Sequence, residues 1–239
     1  TDTLNITTSG TISADKLIDV SGIETLNLSN GADTISFTDT TEFNNFRNEF
    51  ATDIVDAAGS DKLAFGSIAV SGDLDFSKLS EFETLDLSSV GDSLTISGDE
   101  PATINGLAGD DQFTLDLTTV RTLDGGTNTL KDSVKFTGAT ANIGTTDTDF
   151  AAASSFTNIE RLDLTSLSLV SNDNNTEFNF TEAMIDAWTG NSTGNLTLSF
   201  TSSQREKIMF TDIGGTVRDS AAEIADNATY TIGNNTLTI

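Results

Sequence analysis

One short phrase, with apolar residues at every second position, occurs three times in the chain. It reads Ile23-Glu24-Thr25-Leu26-Asn27-Leu28-Ser29 at first, and it returns at Phe82–Ser88 and Ile159–Thr165. Apolar residues that alternate with polar ones are typical of a β-strand with one buried face. The phrase therefore predicts a chain built from repeated β-rich units.

The spacing of the phrase divides the chain into about three irregular units within a single repeat domain. Their approximate bounds are residues 1–70, 71–137 and 138–239. Glu24, Glu83 and Glu160 occupy the same position of the phrase. Their recurrence indicates either a ladder of carboxylates or separate contacts at strand edges and turns.

Two stretches follow a helical period instead. Apolar residues three and four apart predict an amphipathic helix over Phe43–Val55, with Thr40 or Thr41 as its N-cap. A second short helix is predicted over Glu182–Trp188. We expect both helices to be insertions between strands.

The rest of the chain predicts an all-β fold, because short alternating segments are separated by turns rich in glycine, aspartate and asparagine. Repetition at an irregular spacing, with insertions, favours a parallel β-solenoid (β-helix-like or β-roll-like) of about three irregular units with one or two short inserted helices. A β-sandwich is the alternative.

The charge of the chain limits its partners. It has 37 acidic and 11 basic residues and a formal net charge of −26. Such a chain repels nucleic acid and anionic membranes. Two carboxylates about 4 Å apart repel each other by roughly 4 kcal/mol at an effective dielectric constant of about 20. A folded form must therefore spread its acids over the surface or neutralise them with cations.

Two residue types are missing, and their absence excludes several kinds of site. The chain has no cysteine and no histidine. It therefore has no disulfides, thiolate zinc sites or histidine-based catalytic pairs. No apolar run approaches the length of a membrane span, so we expect no membrane insertion. The chain opens in a strand-like stretch without a signal peptide, and we expect it to be a piece of a longer protein.

The clearest candidate for a metal site is Gly106-Leu107-Ala108-Gly109-Asp110-Asp111-Gln112-Phe113. It matches the calcium-binding pattern G-G-x-G-x-D-x-U-x, with Leu107 in place of the second glycine. The glycines permit a tight turn and the aspartates supply oxygens to an ion that takes about six to eight of them. A degenerate second copy follows. The candidate metal ligands are Gly109, Asp110, Asp111, Asp124, Asn128 and Asp132, and ordinary turn chemistry is the alternative for each.

Weaker glycine-aspartate turns occur at Asp33, Asp61 and Asp92. Since such turns are common in β proteins, we interpret these three aspartates as turn residues rather than metal ligands.

The nonapeptide, the acidic cysteine-free composition and the phrase at Asn158–Thr165 resemble the repeats-in-toxin (RTX) surface adhesins and S-layer proteins of Gram-negative bacteria. Those proteins often carry a similar phrase, followed by a short helix and a closing strand such as Thr236–Ile239. The resemblance implies type I secretion, calcium-dependent folding outside the cell, and a role in attachment, ligand recognition or lattice building.

These observations predict an extracellular, calcium-dependent, non-enzymatic ligand-binding or adhesive domain of a large bacterial surface adhesin. Its partner would be a surface glycan or peptide. Two alternatives remain: a self-assembling segment of an S-layer or matrix protein, and a polysaccharide-active enzyme on a β-helix, which would need only two carboxylates.

Overall fold

The computed structural model describes most of the chain in fifteen segments. They are residues 2–20, 22–50, 53–55, 58–98, 101–116, 121–127, 131–137, 141–143, 154–166, 169–171, 178–190, 194–205, 208–211, 214–218 and 223–239. The chain divides into two compact units, Thr1–Phe113 and Thr114–Ile239. Each unit is described separately below.

Short strands and two helices make up the first unit. The strands are β1 (Thr3–Asn5), β2 (Thr11–Ser13), β3 (Thr25–Asn27), β4 (Thr34–Phe37), β5 (Asp53–Val55), β6 (Lys62–Phe65), β7 (Ser71–Asp75), β8 (Thr84–Asp86), β9 (Ser93–Ser97), β10 (Thr103–Asn105) and β11 (Gln112–Asp116), which runs across the division. The helices are α1 (Asp15–Ile18) and α2 (Thr40–Glu49).

Strands of the first unit pair in parallel and in chain order. The three sheets have the orders β1-β3-β5, β2-β4-β6-β8-β10 and β7-β9-β11. Successive strands of one sheet are separated along the chain by other elements. In the sheet that begins with β2, the register partners in successive strands are Thr11, Thr34, Lys62 and Thr84. We call one such circuit of chain, from a strand to its register partner, a coil.

Phenylalanines form the core around α2. Phe43 and Phe46 of this helix contact Phe37 of β4 edge to face at 5.4 Å and 5.5 Å, and Phe43 also contacts Phe65 and Phe76. The predicted helix is therefore present, but it ends at Glu49, and Ile54 lies in β5. Its N-cap is Asp39, whose Oδ1 accepts the N–H of Glu42 at 2.8 Å.

The second unit contains twelve strands and one helix among its described residues. The strands are β12 (Arg121–Asp124), β13 (Ser133–Thr137), β14 (Ala141–Ile143), β15 (Ser154–Thr157), β16 (Arg161–Asp163), β17 (Leu169–Ser171), β18 (Phe178–Phe180), β19 (Asn195–Ser199), β20 (Ile208–Thr211), β21 (Val217–Arg218), β22 (Thr229–Ile232) and β23 (Asn235–Thr238). The helix is α3 (Glu182–Thr189), as predicted, with Thr181 as its N-cap.

Parallel pairing also predominates in the second unit. Its sheets have the orders β12-β15, β13-β16-β19-β23-β22, β14-β17 and β18-β20-β21. The described antiparallel pairs are β20 with β21 and β22 with β23. Trp188 of α3 packs edge to face against Phe156 and Phe180, which anchors the helix in this unit.

The structure confirms a β-rich chain with few helices and parallel sheets. The three phrase strands are β3 and β8, which lie in different sheets of the first unit, and β16 in the second. The phrase thus marks one kind of strand and not one turn of a repeat. In the part of the chain that the structure describes, no helix has the length and apolarity that crossing a membrane requires.

Candidate functional site

Acidic residues lie directly before many strands, and their side chains accept hydrogen bonds from backbone N–H groups of the preceding coil. Asp33, directly before β4, is the register equivalent of Asp61, directly before β6. The backbone N–H of Asp33 donates to Oδ1 of Asp61 at 2.8 Å. The same contact recurs along the chain with other residues in the two positions.

The structure shows eight such bonds within the described ranges. In each bond, a backbone N–H donates to a side-chain oxygen one coil later. The donor and acceptor residues are Asp2 and Glu24 (2.6 Å), Gly10 and Asp33 (3.1 Å), Asp33 and Asp61 (2.8 Å), Asp61 and Glu83 (2.6 Å), Val70 and Asp92 (2.6 Å), Asp92 and Asp111 (2.7 Å), Asp132 and Glu160 (2.9 Å), and Gly194 and Asn235 (2.7 Å). We call these eight acceptor side chains the ladder. The first six belong to the first unit and the last two to the second.

A second bond accompanies each ladder contact. The carbonyl of the donating residue accepts the N–H of the residue that follows the ladder side chain. Asp33 C=O, for example, accepts the N–H of Lys62 at 2.9 Å, and Val70 C=O accepts that of Ser93 at 2.9 Å. Each ladder residue and the residue after it therefore bind the N–H and the C=O of the partner, and so fix the register between coils.

Burial makes these contacts energetically important. Asp33, Asp61, Asp111 and Asn235 are completely buried, and Asp92 is 1% exposed. A hydrogen bond to a charged group contributes about 1.5–3 kcal/mol, and a buried N–H left without an acceptor costs about 1–3 kcal/mol. Because strands of a sheet lie about 4.8 Å apart, the ladder also brings like charges close together.

Two ladder aspartates also close a corner of their own coil. Asp92 Oδ2 accepts the N–H of Ser88 at 2.9 Å, and its Oδ1 accepts the Ser88 hydroxyl at 2.7 Å. Asp33 Oδ2 accepts the N–H of Ser29 at 2.7 Å in the same way. Ser29 and Ser88 are the final residues of the first two phrases, so the phrase and the aspartate four residues later form one structural motif.

Glycines allow the corners of neighbouring coils to touch. Gly109 has φ +131°, and a Cβ there would collide with the backbone N of Gly91. A Cβ on Gly91 would lie 2.9 Å from the carbonyl oxygen of Asp110. Because the obstructing atoms are backbone atoms, side chains at these positions would force the coils apart.

The first predicted metal turn contains one buried and one half-buried carboxylate. Asp111 is buried and accepts the N–H of Asp92, whereas Asp110 is half-buried in the turn beside Gly109. The glycine conformation that the motif requires is present. Asp111 therefore has a place in the ladder that the motif alone did not predict.

The second predicted metal turn brings Asp124 and Asp132 near each other. A Cβ on Gly125 would lie 2.7 Å from Oδ2 of Asp132, so that carboxylate lies against the turn. Asp124 Oδ1 accepts the N–H of Gly126 at 2.9 Å and the Asn158 side-chain amide at 2.7 Å. Asn128 lies outside the described residues. In the described ranges no group of three or more acidic side chains is gathered as a metal site.

The ladder also gives the recurring glutamates and the weaker turns a common role. The ladder includes Glu24, Glu83 and Glu160. It also includes Asp33, Asp61 and Asp92, whose glycine-aspartate pattern indicates only turn residues. All six precede a strand directly. An acid immediately before an alternating segment is the sequence signal that would have identified them together.

Burial raises the pKa of Asp92 above its ordinary value of 3.8, although the hydrogen bonds from Val70 and Ser88 act to lower it. The folded protein therefore holds this proton more tightly than the unfolded chain does. The contribution of Asp92 to the free energy of unfolding is greatest below the unfolded pKa, and it falls as the pH rises through the folded pKa.

We expect wild-type protein to lose stability relative to Asp92→Asn as the pH is raised from 3.8 upward, since the amide does not titrate. Urea unfolding of both proteins from acidic to neutral pH measures this difference. Asp73→Asn, a substitution at an exposed position, controls for the loss of one surface charge. A difference between wild type and Asp92→Asn that stays constant with pH would contradict the assignment.

No protein-family model, curated protein or solved structure matches the chain.

Proposed function

We propose that the chain is a non-enzymatic, calcium-dependent adhesive segment of a secreted bacterial surface protein, folded as a parallel β-solenoid. The ladder is the observation on which this proposal depends. It holds acidic side chains at successive coils of a chain with net charge −26, and a divalent cation bound at the adjacent turns would reduce their mutual repulsion. A surface glycan or peptide would be the partner.

The order of the strands supports the solenoid. In the first unit each sheet gains its strands in chain order, all in parallel, and register partners lie 19 to 28 residues apart along the ladder. A chain that returns to the same sheet at each circuit buries the apolar face of one coil on the next.

The engagement of the acids supports a structural role over a catalytic one. A general acid or base must reach a substrate atom, directly or through one water. Asp92 and Asp33 instead direct both carboxylate oxygens at backbone N–H groups. These two carboxylates therefore stabilise the contact between coils through hydrogen bonds to the backbone.

Calcium would act at the predicted turns, through Gly109, Asp110 and Asp111 in the first unit and Asp124, Asn128 and Asp132 in the second. Carboxylate and turn carbonyl oxygens are the ligands that calcium prefers. An ion that binds the folded turns and not the unfolded chain stabilises the fold by mass action. Sites with dissociation constants of about 10⁻⁴–10⁻³ M would be filled outside the cell and empty inside it.

Millimolar calcium should raise the melting temperature by about 2–4 °C for each occupied site, since each adds about 1 kcal/mol. Asp110→Ala should reduce this rise, and Asp111→Ala should reduce both the rise and the stability without calcium, because Asp111 is also a ladder member. Differential scanning calorimetry with calcium, magnesium or EDTA provides the measurement.

Asp73→Ala removes an exposed acid of the same unit and serves as the matched control. A calcium response that is unchanged in both Asp110→Ala and Asp111→Ala would remove this turn from the site. Retention of glycans or peptides on an array by a monomeric protein would support adhesion. Calcium-induced sheets or oligomers would favour an S-layer role instead, and release of reducing ends from a polysaccharide would favour an enzyme.

A further inference from the structure

We propose that the outer edge of β1 and β2 binds one more coil, whose strands add in parallel and carry the same acid-Thr-Leu-Asn pattern. We call this surface the open edge and define it by Asp2–Asn5 and Thr11–Ser13. The inference rests on strand pairing and side-chain register in the first unit, and it is independent of the calcium proposal.

The backbone of the open edge has a side available for pairing. β1 pairs with β3, and β2 pairs with β4, and no other described strand pairs with either one. The C=O of Asp2 accepts the N–H of Thr25 in β3, and the N–H of Ile6 donates to the C=O of Asn27 in the same strand. Because backbone direction alternates along a strand, Thr3 and Asn5 direct theirs away from β3, as Thr11 and Ser13 do from β4. Such a row of groups is a template for another strand.

The apolar residues of the open edge are only partly covered. Leu4 and Ile12 are half-buried, whereas their register partners Leu26 and Ile35 in the next coil are completely buried. In the interior each coil is covered by a coil on either side. Another coil on the open edge would complete the burial of Leu4 and Ile12 in the same way.

Side chains of the open edge repeat the pattern that binds coils together elsewhere. Asp2-Thr3-Leu4-Asn5 pairs in register with Glu24-Thr25-Leu26-Asn27. Asp2 stands at the position of the ladder residue Glu24, and its side chain is exposed. The Asn27 side-chain amide donates to Asn5 Oδ1 at 2.7 Å. Asp2 is thus placed to accept, and the exposed Asn5 amide to donate, towards an added coil.

The polarity of the ladder selects a parallel partner. At every ladder contact the earlier coil donates an N–H to a side-chain oxygen of the later coil. A parallel strand placed in register on β1 would direct the N–H of its own residue before the strand at Asp2. The occupant is therefore a coil of this same type, recognised by its register and not by its charge.

A peptide spanning Asp2–Ser13, added to the full chain, tests this proposal. We expect it to slow hydrogen exchange of the amides of Thr3, Asn5, Thr11 and Ser13 by about ten-fold. A peptide of the same composition with its alternation shifted by one residue should have no effect, because its apolar side chains would face solvent.

A chain with residues 2–23 duplicated directly before Asp2 makes the same contact intramolecular, and so tests it even if the free peptide binds weakly. The 22-residue insertion equals the register offset between β1 and β3. We expect the same four amides of the original coil to be slowed by about ten-fold. Slowing in this chain supports the proposal, and unchanged exchange in it overturns the proposal.

Variants of Asp2 separate ladder-directed docking from unspecific edge pairing. In the duplicated chain, Asp2→Ala at the original coil should lose most of the slowing. Asp2→Asn should keep most of it, because Asn235 performs the ladder role with an amide oxygen. Slowing that is equal in wild type and Asp2→Ala would refute the role of the ladder at the open edge.

Discussion

Replacing Asp92 with alanine is expected to lower the free energy of unfolding of the first unit by about 3–4 kcal/mol. The substitution removes the acceptor for the backbone N–H groups of Val70 and Ser88 at a position that is 1% exposed. The Ser88 hydroxyl keeps the carbonyl of Val90 as a partner, at 2.9 Å, so the loss comes mainly from the two backbone groups.

Asp92→Asn should cost less, about 1–2 kcal/mol, because the amide keeps one oxygen for the ladder and loses one acceptor. Asp73→Ala, at an exposed position, should change stability by no more than about 0.5 kcal/mol. Urea unfolding followed by circular dichroism gives the magnitude, and hydrogen exchange of the Val70 and Ser88 amides gives the location. Equal stabilities of Asp92→Ala and Asp73→Ala would show that the ladder contributes little.

Phe43→Ala is expected to destabilise the first unit by about 3–5 kcal/mol, by leaving a cavity at the centre of the phenylalanine core. Phe43 is completely buried and contacts aromatic rings from β4, β6 and the segment after β7. The helix α2 would lose its contacts with Phe65 and Phe76 and one of its two ring contacts with Phe37. Thermal or urea unfolding measures the effect.

Ile68→Ala provides the matched control, because it deletes an apolar side chain that is 61% exposed. It should change the free energy of unfolding by no more than about 0.5 kcal/mol. The loss of unfolding free energy in Phe43→Leu should lie between those of Phe43→Ala and Ile68→Ala, since leucine leaves a smaller cavity than alanine. A small effect of Phe43→Ala would mean that α2 is not part of the cooperative core.

Local patterns in the sequence predicted the strands of the phrase and the helices α2 and α3, but not α1, whose four residues are too few to show a helical period. The alternation in the phrase predicted the strands β3, β8 and β16, and the spacing of the phenylalanines predicted the helix α2. The end of α2 was missed because Ile54 continues the helical spacing by coincidence and lies in β5. Asp39 rather than Thr40 caps the helix, since its side chain reaches the N–H of Glu42.

A local pattern can mark the acids of the ladder, but it cannot pair them, because the pairing depends on register between coils. Asp33 and Asp61 become partners only when β4 and β6 pair with Thr34 beside Lys62. Coils of unequal length hide this relation, since the ladder partners lie 28 residues apart here and 19 apart for Asp92 and Asp111. Glycine-aspartate turns therefore look alike in the sequence whether or not their acids are buried.

Because every ladder bond has the same direction, shortening the chain from its two ends should have unequal effects. Deleting the coil that carries Asp61 strips the acceptor from the N–H of Asp33, which is buried. Deleting the coil that carries Gly10 instead frees a carboxylate oxygen of Asp33, which water solvates strongly, together with the N–H of Thr34. The two truncated edges should therefore differ in chemistry: carboxyl-side truncation exposes backbone N–H and C=O groups, whereas amino-side truncation exposes ladder carboxylates.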